Sequence, residues 1–259
     1  MKILVTFAVD AEFAPWRKRY EFRKVRREFA GLDSSTKLYR AEADGIQLDV
    51  LLTGIGWSAA SAASMAHEIA NERPELCIST GLAGALKPDY RHGDVLAAAR
   101  VLRSETSQSI GTSVALLTVA TKLGAKPVDA FVTNGGIVSK ARLKQAMSSL
   151  GDAIEMESFH VLSSVRDARI PSIAVRAISD TVEQDLPLNF AKVVDRAGQV
   201  RWANMVGELG MHPGKIRPLI RFAGDSRRAA EKLADFLEEF VDELTSAHLP
   251  PVVEAAVIA

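Results

Sequence analysis

Two short stretches of this sequence place acidic side chains directly after apolar runs of strand length. Residues 153–158 read Ala-Ile-Glu-Met-Glu-Ser, and residues 176–180 read Arg-Ala-Ile-Ser-Asp. In open α/β sheets, ligands bind outside the carboxyl ends of the strands, so Glu157 and Asp180 are candidate site residues. On spacing alone, they are equally well explained as carboxylates at ordinary helix N-termini. Their role depends on what the rest of the chain places beside them.

Around these stretches, predicted strands and helices alternate through most of the chain. Apolar β-branched runs predict strands, a 3.6-residue periodicity predicts helices, and Asp44-Gly45 predicts a hairpin turn. The predicted strands are 1–9, 36–43, 46–53, 76–80, 95–101, 128–133, 154–156 and 170–178. The predicted helices are 58–71, 114–123, 139–150, 158–169 and 227–244. The alternation favours an α/β fold, a layered sheet with helices on both faces.

The C-terminal part of the sequence has a different character. No strand is predicted within 187–246, and 227–244 is an amphipathic helix with one apolar face. No glycine- or serine-rich linker separates this part from the rest. We therefore expect one domain over 1–246, with 187–246 as a helical layer or arm, followed by a tail at 247–259.

Composition narrows the classes of function. The 259-residue chain has 32 Lys+Arg and 32 Asp+Glu, so its net charge gives no argument for nucleic-acid binding. The single cysteine, Cys77, suits a reducing compartment, and no signal peptide is predicted, so we expect a cytoplasmic location. The basic stretch 17–27 predicts a solvated face or edge strand. The alternative is contact with an anionic membrane surface.

Small residues and a carboxylate follow other predicted strands. The first strand leads directly into Glu12, which alone is best explained as a helix N-terminal carboxylate. Gly54 and Gly56 imitate a dinucleotide fingerprint, which we reject because it does not follow the first strand. A second small-residue loop is predicted at 79–84. Such loops let a ligand approach the backbone closely.

Several kinds of catalytic site are excluded by the motifs. The five histidines have no metal-ligand spacing and no paired cysteines to help them, so we expect no metal. The sequence contains neither a serine-hydrolase nucleophile elbow nor a phosphate-binding P-loop. Carboxylates and glycine loops remain, a composition that suits acid/base chemistry on a neutral, hydroxyl-rich substrate.

Four motifs in register resemble the purine nucleoside phosphorylase and nucleosidase superfamily, over roughly residues 1–180. They are 7–12, 53–56, 80–84 with 93–95, and 155–158 with 176–180. The resemblance implies a three-layer α/β/α fold with a mixed central sheet, a purine nucleoside as substrate and a homo-oligomer. It implies no cofactor, although a phosphorylase would take phosphate as co-substrate.

The resemblance also implies roles for individual residues. Glu157 would hold the ribose hydroxyls, with Met156 packed beneath the sugar. Asp180, helped by Ser179 and kept protonated by burial, would give a proton to N7 of the purine. Glu12 would activate water for attack on the oxocarbenium-like sugar.

The remaining implied substrate-binding positions are less specific. Arg176 could orient the acids or bind an anion, and it is equally well explained as a structural ion pair. These positions are Gly54, Gly81, Leu82, Ala83, Glu155 and Arg176.

The sequence leaves the nucleophile and the substrate open. A carboxylate at Glu12 would repel phosphate, which favours hydrolysis over phosphorolysis. Leu82 stands where the small nucleosidases usually carry a serine, and Ile137 and Val138 stand where an aromatic often stacks on the purine. The segment 104–126 is shorter than the usual 5′-side region, which implies a pocket open to a bulky 5′ substituent.

Two further interpretations follow from these departures. The helical arm and the basic stretch resemble the branch associated with bacterial hopanoid biosynthesis, whose implied substrate is a lipid-linked adenosine. The alternative from a different class is a non-catalytic nucleoside-binding or membrane-peripheral scaffold, for which the Leu82 departure is the best support.

Overall fold

The computed structural model describes residues 1–25, 36–43, 45–187, 214 and 216–246. Ten strands and six helices alternate along these ranges, as the sequence predicts. The strands are β1 (Lys2–Phe7), β2 (Arg23–Val25), β3 (Lys37–Ala43), β4 (Ile46–Leu52), β5 (Leu76–Ala85), β6 (Val95–Arg103), β7 (Ser109–Gly111), β8 (Lys126–Thr133), β9 (Ala153–Glu155) and β10 (Ser172–Asp180). The helices are α1 (Asp10–Arg17), α2 (Ala59–Glu72), α3 (Val114–Lys122), α4 (Ala141–Ala146), α5 (Ser158–Arg166) and α6 (Ile216–Ser246).

All ten strands join one mixed sheet, and part of that sheet closes on itself. Strand β5 pairs in parallel with β1 and β10, and its last residues pair antiparallel with β9. Strand β10 then pairs with β6, β6 with β8, and β8 with β9. These pairings form a ring of five strands, and the loops after β8, β9 and β10 meet at one end of it. The other half of the sheet is open and ends in the predicted β3–β4 hairpin and the edge strand β2.

Helices cover both faces of the sheet because the strand side chains alternate. In β1, Ile3, Val5 and Phe7 join a core with α1, α3 and α6. Leu4 points to the opposite face, where α2 and α5 supply Met65 and other apolar side chains. The result is the predicted three-layer α/β/α arrangement with a mixed central sheet, and α6 adds to one of the helical layers.

The prediction of a loop at 79–84 is wrong. Strand β5 continues to Ala85, because residues 77–84 find backbone partners in β10 and residues 84–85 pair with β9. Gly81 has φ +142°, a conformation that a glycine adopts without the steric cost of a side chain. The small residues therefore keep the strand paired while it bends into the ring.

Two helix boundaries also differ from the predictions. The helix predicted at 139–150 is only α4, and Lys140 rather than Ser139 stands at its N-cap. The helix predicted at 227–244 has the expected apolar face but begins earlier, at Ile216.

The basic stretch and the C-terminal region are only partly described. Strand β2 confirms the predicted edge strand in 17–27, and Arg19 forms ion pairs with Asp235 and Glu238 of α6. Residues 26–27, most of 188–215 and the tail 247–259 lie outside the described residues. Among the described helices, none has the length and apolar character needed to cross a bilayer.

Candidate active site

A cavity of about 1040 Å³ opens at the carboxyl ends of β1, β5, β9 and β10. Its walls bring together residues that are far apart in the sequence, such as Glu12 and Asp180, which are separated by 168 positions. Ten of the residues predicted from sequence lie on this wall. They are Glu12, Leu82, Ala83, Ile137, Val138, Glu155, Met156, Glu157, Ser179 and Asp180.

Three predicted residues lie behind the wall and support it. The Gly54 amide donates to the Ala8 carbonyl at 2.9 Å, which ties the loop after β4 to the end of β1. A Cβ on Gly81 would lie 2.8 Å from the Glu12 Oε2 atom, so glycine makes room for that carboxylate. Arg176 is only 1% exposed, and its guanidinium donates to Glu155 on the wall and to the Ser158 and Ser79 hydroxyls behind it.

Glu12 lies in the first turn of α1, directly after β1, and its carboxylate folds back over the strand end. Its two oxygens accept hydrogen bonds from the Ala8 and Leu82 amides, each at 3.2 Å. Burial raises the pKa of Glu12, and this effect exceeds the opposing effects of the Arg176 charge and of the backbone amides. A carboxyl with a raised pKa is a stronger base once ionised.

Glu155 and Arg176 form a buried ion pair between β9 and β10. The Arg176 Nη2 atom lies 2.7 Å from the Glu155 Oε2 atom and 2.8 Å from the Ser158 hydroxyl. Glu155 also accepts from the Thr133 hydroxyl and from the Glu157 and Ser158 amides. Burial would raise the pKa of Glu155, but these donors together lower it, so the carboxylate is ionised.

Glu157, two residues further on, has a different environment. Its carboxylate accepts one backbone hydrogen bond, from the Gly56 amide at 2.7 Å. Burial, the Glu155 charge and the Glu12 charge raise the pKa of Glu157 to about 8, against the opposing charge of Arg176. Its side chain therefore carries a proton at neutral pH and can both donate and accept hydrogen bonds.

Asp180 ends β10, and both of its carboxylate oxygens already have donors. The Ser179 hydroxyl donates to Oδ1 at 2.7 Å, as the predicted helper of Asp180. The Lys144 ammonium group on α4 donates to Oδ2, also at 2.7 Å. The resemblance implies an Asp180 carboxyl that burial keeps protonated. The structure adds a buried cation, the Lys144 ammonium group, beside it.

Lys144 and Thr133 are two polar residues behind the wall of this site that sequence reasoning missed. Lys144 lies in a short helix with other charged residues, a pattern typical of a solvent-exposed position. Thr133 ends β8 and carries no motif of its own. Their proximity to the site follows only from the ring of strands, which places the loop after β8 beside β9 and β10. Within the described part of the chain, no three His, Cys, Asp or Glu side chains are grouped so as to hold a metal ion.

A cavity of this volume, largely apolar with a few convergent polar groups, belongs to the class that takes small molecules. The sequence model of the phosphorylase superfamily matches residues 2–206, and the chain belongs to that family. The resemblance inferred from the four motifs is thereby confirmed at the level of the superfamily, whereas the hopanoid-associated branch stays a prediction.

The chain is also similar to individual proteins with names and solved structures. The 5′-methylthioadenosine/S-adenosylhomocysteine nucleosidase of Glaesserella parasuis is 24% identical over 187 residues, which cover 63% of this chain and 80% of that protein. The solved structure of the Helicobacter pylori enzyme of that name has a TM-score of 0.70 and 19% identity, and covers 94% of this chain and 99% of its own. The native futalosine hydrolase of H. pylori also has a TM-score of 0.70 and 19% identity, with 94% and 98% covered.

Proposed function

We propose that this protein hydrolyses the N-glycosidic bond of a purine nucleoside. In this proposal, Glu12 takes a proton from the attacking water, and Glu157 binds the ribose hydroxyls. Asp180 provides the proton for N7 of the departing purine. The relatives named above support this class of reaction, because they are nucleosidases or hydrolases by name.

The observation that carries the choice of water over phosphate is the position of the Glu12 carboxylate. It already accepts from the Ala8 and Leu82 amides, the donors that an anion bound beside it would need. A phosphate dianion would also lie against the carboxylates of Glu12 and Glu155, where like charges repel. A neutral water molecule meets neither obstacle and has a base beside it.

The two other carboxyl groups suit the two halves of a nucleoside. A protonated Glu157 donates to one ribose oxygen while its carbonyl oxygen accepts from another hydroxyl. As positive charge develops on the sugar, that charge favours the ionised form of Glu157 and so stabilises the transition state more than the ground state. Asp180 lies with Ser179 on the same cavity wall as Ile137 and Val138, which offer apolar surface to a flat base.

The cavity favours a substrate larger than an unmodified nucleoside. Its volume of about 1040 Å³ lies at the upper end of the range for small-molecule sites. Apolar side chains from α1 and α6 also line it, including Pro15, Leu219 and Phe222. We infer a 5′-substituted adenosine whose substituent is bulky and apolar, and a lipid-linked adenosine fits this description.

The experiment is incubation of the protein with adenosine, 5′-methylthioadenosine and a 5′-alkylthioadenosine of long chain, each with and without phosphate. Release of adenine with the free sugar (ribose from adenosine, the 5-alkylthioribose from the thio substrates), independent of phosphate, is the expected result. Release only with phosphate, giving a sugar 1-phosphate, would show a phosphorylase. Binding without release from any nucleoside would show a non-catalytic scaffold. A long alkyl chain that gives no gain in kcat/KM over the methyl group would remove the inference about the substituent.

A further inference from the structure

Lys144 is buried in a way that demands an explanation. Its side chain is 0% exposed, although lysine is almost never fully buried unless it is paired. Lys140, at the N-cap of the same helix, is instead half-exposed and pairs with Asp185 at the surface. The fold therefore buries the lysine within α4 and leaves the lysine at its N-cap in solvent.

The ammonium group of Lys144 has two acceptors among the described residues, and both belong to the end of β10. One is the Asp180 Oδ2 atom at 2.7 Å, and the other is the Thr181 carbonyl oxygen. Gly84 leaves room for this arrangement, because a Cβ there would lie 2.8 Å from the same Oδ2 atom. The cation is thus held against the carboxylate that faces the cavity, away from solvent.

This arrangement bears on the proton that a departing purine needs. The two oxygens of Asp180 accept hydrogen bonds from Ser179 and Lys144, so the N–H donor in contact with this carboxylate is a buried ammonium group. An ammonium group held at hydrogen-bond distance can supply that proton through the carboxylate. Among the described residues, Lys144 is the positively charged proton donor that contacts Asp180.

We propose that Lys144 is a positioning residue that fixes the Asp180 carboxylate and supplies, through it, the proton for the purine. This inference rests on the proposed nucleosidase function. A Lys144 N–H bond breaks as an Asp180 O–H bond forms, and that O–H bond breaks as the N7–H bond forms. The electron pair of the glycosidic bond leaves with the purine, water adds to the sugar, and Glu12 takes the proton of that water. Solvent carries a proton from Glu12 back to Lys144 and resets the site.

The test compares two substrates in the same preparation of Lys144→Met. A purine nucleoside needs a proton on its leaving group, whereas 4-nitrophenyl β-D-riboside has a leaving group that departs as a stable anion. The ratio of the two kcat/KM values is independent of the folded fraction, since misfolded protein affects both alike. We expect the ratio of purine nucleoside to nitrophenyl riboside to fall by about 10²-fold. The matched control, Lys140→Met on the same helix, should leave the ratio unchanged.

A second variant separates proton supply from charge alone. Lys144→Ala leaves a cavity in place of the side chain, and methylammonium added to it should restore activity on the purine nucleoside at least tenfold. Tetramethylammonium, which has no N–H bond, should not.

The outcomes that overturn the proposal are specific. An unchanged substrate ratio in Lys144→Met, an equal fall in Lys140→Met, or equal rescue by both ammonium ions would each reject proton supply by Lys144 while leaving the nucleosidase function intact. Failure of the wild-type protein to cleave either substrate would reject both proposals together.

Discussion

Glu155 and Glu157 are two residues apart, both buried, and opposite in ionisation. The Glu155 carboxylate accepts hydrogen bonds from an arginine, a threonine hydroxyl and two backbone amides. The Glu157 carboxylate accepts one, from a backbone amide. The pKa of Glu155 is lowered as a result, while that of Glu157 is raised to about 8 by burial and by its acidic neighbours. The neighbouring charges and hydrogen-bond donors, rather than the depth of burial, decide which of two buried carboxyl groups is charged.

The difference separates a structural carboxylate from a functional one. Glu155 has its capacity as an acceptor largely used by the protein, so it joins β8, β9, β10 and α5. Glu157 and Glu12 keep capacity free at the cavity wall, where a substrate can use it. An under-satisfied carboxyl group costs folding free energy, and such sites are characteristic of functional positions.

Among the substitutions that test the difference between Glu155 and Glu157, we expect the largest effect at Arg176. Arg176→Met removes the cation but leaves the Glu155 carboxylate buried among neutral donors. We expect a loss of about 3–5 kcal/mol in the free energy of unfolding, because an unpaired buried charge remains. Urea denaturation measures this loss. The control is Arg100→Met, which breaks an exposed ion pair with Asp129 and should cost no more than about 1 kcal/mol. Equal losses in the two variants would refute a special role for the buried pair.

Glu12→Gln should lower activity without lowering stability, in contrast to the loss of stability expected for Arg176→Met. The amide cannot take a proton from water, so we expect kcat to fall by about 10²- to 10⁴-fold. Because burial already disfavours the charged form of Glu12, the free energy of unfolding should stay unchanged or rise. Nucleoside turnover and denaturation of the same sample measure both quantities. Glu75→Gln, an exposed position at the amino end of β5, should change neither. Full turnover by Glu12→Gln would exclude Glu12 as the base.

These carboxyl groups show what could be predicted from sequence. The apolar runs that end at Glu155 and Asp180 located the carboxyl edge of the sheet, and the first strand located Glu12. Local pattern was sufficient for those positions, because a strand that ends at an acid places it at the edge where loops converge.

The ionisation states could not be predicted in the same way. They depend on Arg176, Thr133 and Lys144, which reach their partners from other elements through the β5–β10–β6–β8–β9 ring. The ring itself was missed, since the small residues of 79–84 are typical of a loop and only their pairing with β10 and β9 makes them a strand. Likewise, the sequence gives no reason to bury Lys144 and expose Lys140.

Thr133→Val is a smaller perturbation of Glu155, because it removes one of the hydrogen-bond donors to that carboxylate. The Thr133 hydroxyl donates to Glu155 and accepts from the Phe159 amide at 3.0 Å, so valine leaves two buried groups short of a partner. We expect a loss of about 1–3 kcal/mol in the free energy of unfolding. The control is Thr118→Val on the exposed face of α3, whose hydroxyl bonds only its own helix. A loss in Thr133→Val no larger than in the control would show that Glu155 does not depend on the Thr133 hydroxyl.

Glu157→Gln tests whether Glu157 is protonated, through the pH dependence of the free energy of unfolding. The pKa of Glu157 is raised from 4.5 to about 8 in the folded protein, so the folded state binds this proton more tightly than the unfolded state. The stabilisation is complete below pH 4.5 and is lost as the pH rises through 8, at no more than about 1.4 kcal/mol per pH unit for one proton. Glutamine keeps a neutral side chain at every pH, so the free energy of unfolding should fall less steeply in the variant between these limits. Glu12 contributes a slope of the same sign to both proteins, and the difference between the two curves isolates Glu157. Parallel curves from urea denaturation across this range would mean that Glu157 is ionised like Glu155, and the distinction between the two carboxyl groups would be lost.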